Sequence, residues 1–329
     1  MRRFLFALGA TATASLGGIP YAAAHHADLA VGGNGAGIIT MSAEPLEEDH
    51  VGISLVTQFA GFSNVNFQAL KPGEDTHQIK SLINTSLGIA YGVTPDFTVA
   101  LSLPWIRRHS VVDGHVHEEG ESPHIEALGN SQGLGDLTLL GQWRFLYQQD
   151  WGLQLAVVAG VKLPTGRTNA RGRSGEKFEA EFQPGSGSVD GLFGLAASKS
   201  FGGWSLHANI LYLLVNKGTQ NTDLGDRLFY NVAVAWRAYG GMNENGVISG
   251  DLAIDAVLEL NGEREARQRA GGEKDPNSGG NVIYLSPGLR AVWRGTAATL
   301  SFGVPVVRDL NGLQSKPQWR LFTGLSTSF

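Results

Sequence analysis

The sequence predicts an all-β protein: a transmembrane antiparallel up-and-down β-barrel of about 12 strands. Three observations carry this. The chain ends on an alternating segment, residues 318–329, that closes on the aromatic Phe329. Segments of the same period-2 kind recur from residue 51 onward. The gaps between them run long, short, long, short to the end. In residues 318–329, Trp319, Leu321, Thr323, Leu325, Thr327 and Phe329 share one face, and Gln318, Arg320, Phe322, Gly324, Ser326 and Ser328 share the other. That is a strand with an apolar and a mostly polar side. A terminal aromatic strand is the signal that outer-membrane assembly factors read, so Phe329 is the candidate assembly signal.

Residues 1–24 read as a secretory signal peptide. Arg2 and Arg3 give a positive start, an apolar stretch from Phe4 follows, and Ala22, Ala23 and Ala24 offer small residues for cleavage. The stretch is too short and too rich in Gly and Thr to span a bilayer well as a helix. Cleavage would take 25 basic residues to 23 against 30 acidic, a net charge of −7. That disfavours a nucleic-acid partner, for which a basic stripe is expected. There is no cysteine, so disulfides and Cys-based zinc sites are excluded. Glycine reaches 45 of 329 residues, about twice the usual share. Beyond the signal no apolar run is long enough for a transmembrane helix. A membrane-spanning fold must then be a closed barrel, which satisfies every backbone group internally.

Residues 25–50 precede the first strand. They hold Gly32-Gly33-Asn34-Gly35 and Glu44-Pro45-Leu46-Glu47-Glu48-Asp49. They are expected either in the periplasm or inside the barrel as a hatch. The barrel itself is expected over residues 51–329. Its twelve alternating segments lie near 51–60, 80–92, 96–106, 134–147, 152–163, 188–200, 203–215, 226–239, 247–261, 281–294, 297–307 and 318–329. The ninth is the clearest: Leu252, Ile254, Ala256, Leu258 and Leu260 alternate with Asp251, Ala253, Asp255, Val257 and Glu259. The long gaps are near 61–79, 107–133, 164–187, 216–225, 262–280 and 308–317. Residues 262–270 have the composition of a short surface helix. Long extracellular loops and short periplasmic turns are the barrel rule. Trp143, Trp151, Trp204, Trp236 and Trp293 gather near the short gaps, with Tyr91, Phe97, Tyr147, Phe201 and Tyr239, as an interfacial aromatic girdle requires.

Four stretches, taken in order, resemble one family: Gly133-Leu134-Gly135-Asp136-Leu137-Thr138-Leu139, Leu163-Pro164-Thr165-Gly166, Pro184-Gly185-Ser186-Gly187-Ser188 and Leu285-Ser286-Pro287-Gly288-Leu289-Arg290. Together they resemble the outer-membrane proteins named for the meta-cleavage pathway of phenol degradation, which are more distantly similar to FadL-type channels for hydrophobic compounds. The resemblance spans roughly residues 40–329. It implies a barrel in the bacterial outer membrane and passage of small molecules, hydrophobic or aromatic in kind. It implies no particular substrate.

With apolar faces in lipid, the other faces line a lumen. An Arg or Lys facing lipid at midplane costs about 2–4 kcal/mol, so charges belong inside. The expected lining is Asp136, Arg144, Lys162, His207, Arg227, Asp251, Asp255, Glu259 and Arg320, with Thr138, Gln142, Gln154, Asn209, Asn231 and Arg237 beside them. Opposite charges there can plug the barrel or set a field for a polar solute. The function expected is an outer-membrane channel with lipopolysaccharide, the assembly machinery and a small-molecule solute as partners. The alternative is a non-conducting structural or metal-associated barrel.

One long gap carries His115, His117 and His124 among Glu118, Glu119 and Glu121, a ligand set suited to Zn²⁺, Cu²⁺ or Ni²⁺ or simply a solvated acidic loop. His25-His26 behind a new amino terminus is a second such hint. Catalysis has little behind it. Ser205 and His207 share a face, but no Gly-x-Ser-x-Gly elbow occurs in a strand-to-helix context. Gly133-x-Gly135 precedes no helix, so no dinucleotide cofactor is implied.

Overall fold

The computed structural model describes residues 37–72, 75–116, 122–240 and 252–329. The signal segment 1–24, His25, His26, His117, Glu118, Glu119, Glu121 and Asp251 lie outside the described residues.

Twelve strands close into an antiparallel barrel. They are β1 (Val51–Phe62), β2 (Ser81–Thr94), β3 (Phe97–His115), β4 (Leu137–Gln148), β5 (Leu153–Leu163) and β6 (Asp190–Phe201), then β7 (Trp204–Leu214), β8 (Arg227–Tyr239), β9 (Leu252–Glu265), β10 (Gly280–Trp293), β11 (Thr296–Leu310) and β12 (Pro317–Ser328). Each pairs with its sequence neighbours, and β12 closes on β1 from Gly52↔Ser328 to Phe62↔Pro317. Closure leaves no strand edge to satisfy, the condition for spanning lipid.

Alternation decides which way each side chain points. On β9, Ala253, Asp255, Val257, Glu259 and Asn261 are buried, while Leu252, Leu258 and Leu260 are exposed. On β12, Arg320, Phe322 and Ser326 point inward and Trp319 and Leu325 outward, and Phe329, just past its end, is exposed. The outer wall is therefore Leu, Ile, Val and aromatic surface. At the short-turn end Trp143, Trp151, Trp204, Trp236, Trp293, Tyr147 and Tyr239 form an exposed girdle. Trp204 and Trp236 stack there at 6.0 Å. Trp105, Tyr212 and Trp319 mark the other edge, with Phe302 stacked on Trp319 at 6.4 Å.

Two expectations need correction. The gap 107–133 is not a plain loop. β3 runs on to His115, and a strand His124–Leu134 returns along it from Trp105↔Leu134 to His115↔His124. β4 meets β3 only over Phe97–Ser102, so the upper part of β3 has free ladder groups for this second partner. Bulges between Arg108 and Val112, with Ser110 at φ 53° and Gly129 at φ 100°, break the alternation that would have shown it. The segment 262–270 is not helical either. β9 stays laddered to both β8 and β10 through Glu265, and a two-residue strand Arg269–Ala270 follows.

Residues 37–50 run inside the barrel. They leave at the short-turn end, where Asp49 N–H donates to Gly92 O at 2.9 Å and Gly92 N–H to His50 O at 3.0 Å. Gly92 is required there, because a Cβ would lie 1.9 Å from Glu47 O.

Candidate functional site: a lumen closed by a strap and a folded loop

The interior strap is residues 37–47. It touches β9, β7, β6, β4 and β3 in turn. Glu259 on β9 accepts the N–H groups of Ile38, Ile39 and Thr40 at 3.0–3.1 Å. Asn209 Oδ1 on β7 accepts Met41 N–H at 2.9 Å and the Asn231 amide at 3.2 Å. Ser198 Oγ on β6 accepts Ala43 N–H at 2.9 Å and lies 2.8 Å from His207 Nδ1. Gln142 Nε2 donates to the carbonyls of Ser42 and Glu44, and Thr98 Oγ1 accepts Leu46 N–H at 2.8 Å. The wall thus supplies side-chain acceptors to a strap whose backbone has no strand partner. This is what a buried extended segment needs.

Apolar side chains fix it further. Met41 sits among Leu140, Val158, Leu192, Leu211, Leu213 and Phe229. Ile38 and Ile39 pack on Ala235, Val257 and Phe322. Gly288 makes room for Ile38, since a Cβ there would lie 2.5 Å from Ile38 Cδ1.

Above the strap, loop 164–189 folds into the long-loop mouth. Phe178 and Phe182 are buried with Ile79, Leu82, Ile106 and Val111. Arg108, wholly buried, donates to the carbonyls of Phe182 and Gln183 at 3.3 and 3.4 Å. The loop's ends are held by Lys162. Its Nζ lies 2.8 Å from both Asp136 and Asp190 and also donates to Ser186 Oγ. Asp136 accepts the N–H groups of Gly166 and Ser186 at 2.9 and 2.8 Å. Gly166 and Gly185 meet backbone to backbone; a Cβ on Gly185 would be 2.5 Å from the Gly166 carbonyl carbon.

The remaining expected lining residues divide. Asp255 pairs with Arg237 at 2.5 Å and faces Arg290 at 4.0 Å. Arg320 is fully buried, 3.7 Å over the Tyr284 ring, donating to Asn261 Oδ1 at 2.7 Å. Ser286 Oγ donates to the same oxygen at 2.8 Å. Arg227 lies 3.7 Å from Glu265. Arg144 sits at the short-turn rim, bonded to Asp96, Gln154 and Pro95 O at 2.7–3.0 Å. His207 meets Ser198, not Ser205. Asp136 and Lys162 hold a loop, and Glu259 holds the strap. Sequence reasoning gave these three an inward face, but it missed their loop and strap partners, which are distant in the chain. It also missed Ser198, Thr98 and Met41, whose types carry no signal of their own.

A different cluster lies at the long-loop end. His77 Nδ1 is 2.8 Å from Glu181 Oε1, and His77 Nε2 is 3.3 Å from Asp113 Oδ1 and 3.4 Å from Glu179 Oε2. Burial by itself would lower the His77 pKa, but the carboxylates of Glu181, Asp113 and Glu179 hold it well above its ordinary value. Of the expected metal set, His115 Nδ1 is 3.4 Å from Asp113 Oδ2, and its ring lies 5.0 Å from that of His124.

These features define a transmembrane β-barrel with a polar, internally strapped lumen. The family model described as "Putative MetA-pathway of phenol degradation" matches residues 112–304, and the chain belongs to that family. Among solved structures, it is similar to an outer membrane channel from Pseudomonas putida F1, at 13% identity and TM-score 0.57, over 87% of this chain and 98% of that one. The β domain of the Bordetella autotransporter BrkA aligns at 10% identity and TM-score 0.44, over 85% of this chain and 100% of that one. LpxR from Salmonella typhimurium aligns at 12% identity and TM-score 0.43, over 85% and 99%. A search of curated proteins finds no match. The likeness to the Pseudomonas putida channel supports the barrel fold.

Proposed function

We propose that this protein is an outer-membrane channel for small molecules, that its solutes are hydrophobic or aromatic, and that the strap 37–47 is its movable closure. One observation carries the reading. Met41 of the strap fills an interior apolar patch of Leu140, Val158, Leu192, Leu211 and Phe229, bordered by Gln142, Asn209 and Asn231. A mostly apolar hollow with a few fixed polar groups suits a small aromatic molecule bearing one hydroxyl. Withdrawing Met41 would open that hollow. The family's name and the description of the Pseudomonas putida protein as a channel point the same way. In this reading the short turns face the periplasm and the long loops face lipopolysaccharide. Phe329, exposed at the end of β12, is the assembly signal.

The test is paired. The full protein and a variant lacking residues 37–46 are placed in planar bilayers and in liposomes loaded for flux of phenol and of glucose. The deletion is expected to raise conductance at least about tenfold, the factor that 1.4 kcal/mol of gating energy represents, and to favour phenol flux. No current and no flux from either form would leave the alternative, a non-conducting structural barrel.

A further inference from the structure

The wall beneath the strap carries a ladder of three asparagines whose hydrogen bonds are left incomplete. We propose that Asn209, Asn231 and Asn261 form a polar track that selects neutral aromatic solutes carrying at least two hydroxyl groups. The inference rests on the reading of the strap as a movable closure over the Met41 hollow.

The ladder is built by register. Asn209 on β7 pairs directly with Asn231 on β8, and Asn231 pairs with Asn261 on β9. All three are more than nine-tenths buried. Leu211 and Phe229 of the apolar hollow lie two positions away on β7 and β8, on the same inward face. Neighbouring strands are about 4.8 Å apart, so the track crosses three strands along the edge of that hollow.

Each amide is only half satisfied. Asn209 Oδ1 accepts Met41 N–H at 2.9 Å and Asn231 Nδ2 at 3.2 Å, but Asn209 Nδ2 has no partner among the described residues. Asn231 has the opposite defect: its nitrogen is bonded and its Oδ1 is not. Asn261 Oδ1 accepts Ser286 Oγ and Arg320 Nη2 at 2.8 and 2.7 Å, and Asn261 Nδ2 is left over. The track therefore offers a donor, an acceptor and a donor in order. The strap covers these atoms without bonding them, and a polar group buried unpaired is unfavourable. The strap is thus an imperfect cover, which a better-matched molecule can replace.

Met41 shows what such a molecule needs. It puts an apolar side chain among Leu211 and Phe229 and a single N–H on Asn209 Oδ1. An aromatic ring with one hydroxyl reproduces both contacts. A second hydroxyl supplies what Met41 lacks: it donates to Asn231 Oδ1 and accepts from a neighbouring amide. A hydroxyl both donates and accepts. A methyl ether or a carboxylate only accepts, so neither serves Asn209 Oδ1 or Asn231 Oδ1. Glu259, once freed of the strap N–H groups it now holds, also repels an anion.

Isothermal titration calorimetry of the purified full-length protein in detergent tests this, with 1,3-benzenediol, phenol and anisole as probes. The diol is expected to bind with a Kd at least about tenfold below that of phenol, and phenol to bind more tightly than anisole. Asn231→Leu is expected to shrink the diol-to-phenol ratio below about threefold. Asn231→Ser, a smaller change, is expected to do the same, with heat-modifiable gel migration confirming a folded barrel. A general loosening would weaken both probes together, so the ratio isolates the amide. Equal Kd values for the diol and anisole in the unaltered protein would overturn the track. So would an unchanged ratio in both variants, or binding of all three probes weaker than about 10 mM. Calorimetry needs no current. A barrel that prefers the diol but never conducts refutes the channel alone, and a conducting barrel without the preference refutes the track alone.

Discussion

The strap and the folded loop both fill the barrel, but they are held in different ways. The strap gives the wall its backbone N–H groups, and neutral or singly charged acceptors take them: Glu259, Asn209, Ser198 and Thr98. Its apolar anchors are few, chiefly Ile38, Ile39, Met41 and Leu46. The loop is held by buried ions and aromatic packing. Lys162 sits between Asp136 and Asp190, and Phe178 and Phe182 are sunk among β1–β3 side chains. Removing one partner of a buried ion pair costs about 3–5 kcal/mol, whereas one hydrogen bond to a charged group is worth about 1.5–3. On the proposed reading the loop is the fixed part of the wall and the strap is the movable piece. A movable closure has to be drawn from the weaker end of the stability range.

Three substitutions sharpen or break that contrast. Lys162→Met is expected to act most strongly. It strands Asp136 and Asp190, costs about 3–5 kcal/mol, and frees loop 164–189. Limited proteolysis within the loop reads this; unchanged cleavage would remove the ion cluster as its anchor. Glu259→Gln comes next. The strap loses a charged acceptor for three N–H groups, about 1.5–3 kcal/mol, while the barrel keeps its melting temperature. Single-channel recording should show more frequent opening, and an unaltered open probability would mean that the strap is not the gate. Gly288→Val is the smallest. Its side chain would strike Ile38 Cδ1 and Leu300 O, an overpacking of about 1–3 kcal/mol that pushes the strap inward or out. Its effect on opening should vanish in the variant lacking residues 37–46; an effect that persists there places the clash in the wall.

Much of the wall was legible because membrane strands obey a period of two. Ala253, Asp255, Val257, Glu259 and Asn261 had to face away from Leu252, Leu258 and Leu260, whatever the fold's details. The girdle tryptophans were legible for the same reason: position relative to a short turn fixes depth. The β3 extension was not, because bulges near Ser110 erase the period where β3 changes partners. Nor was the role of the family's short motifs. Asp136 reads as a lining residue, and Gly166, Gly185 and Ser186 read only as parts of the motifs behind the family resemblance, until the chain brings them together around Lys162.

The pairing of distant residues was the hardest part to read. Glu259 and Ile38 are 221 positions apart, and His77 and Glu179 lie in different loops. Alternation and turn spacing are local properties, so the amino-acid order alone determined a closed barrel with oily outside and polar inside. Which inward groups meet one another is settled by ring closure and by where the strap and loop enter. These depend on contacts between remote segments, and only the tertiary structure records them.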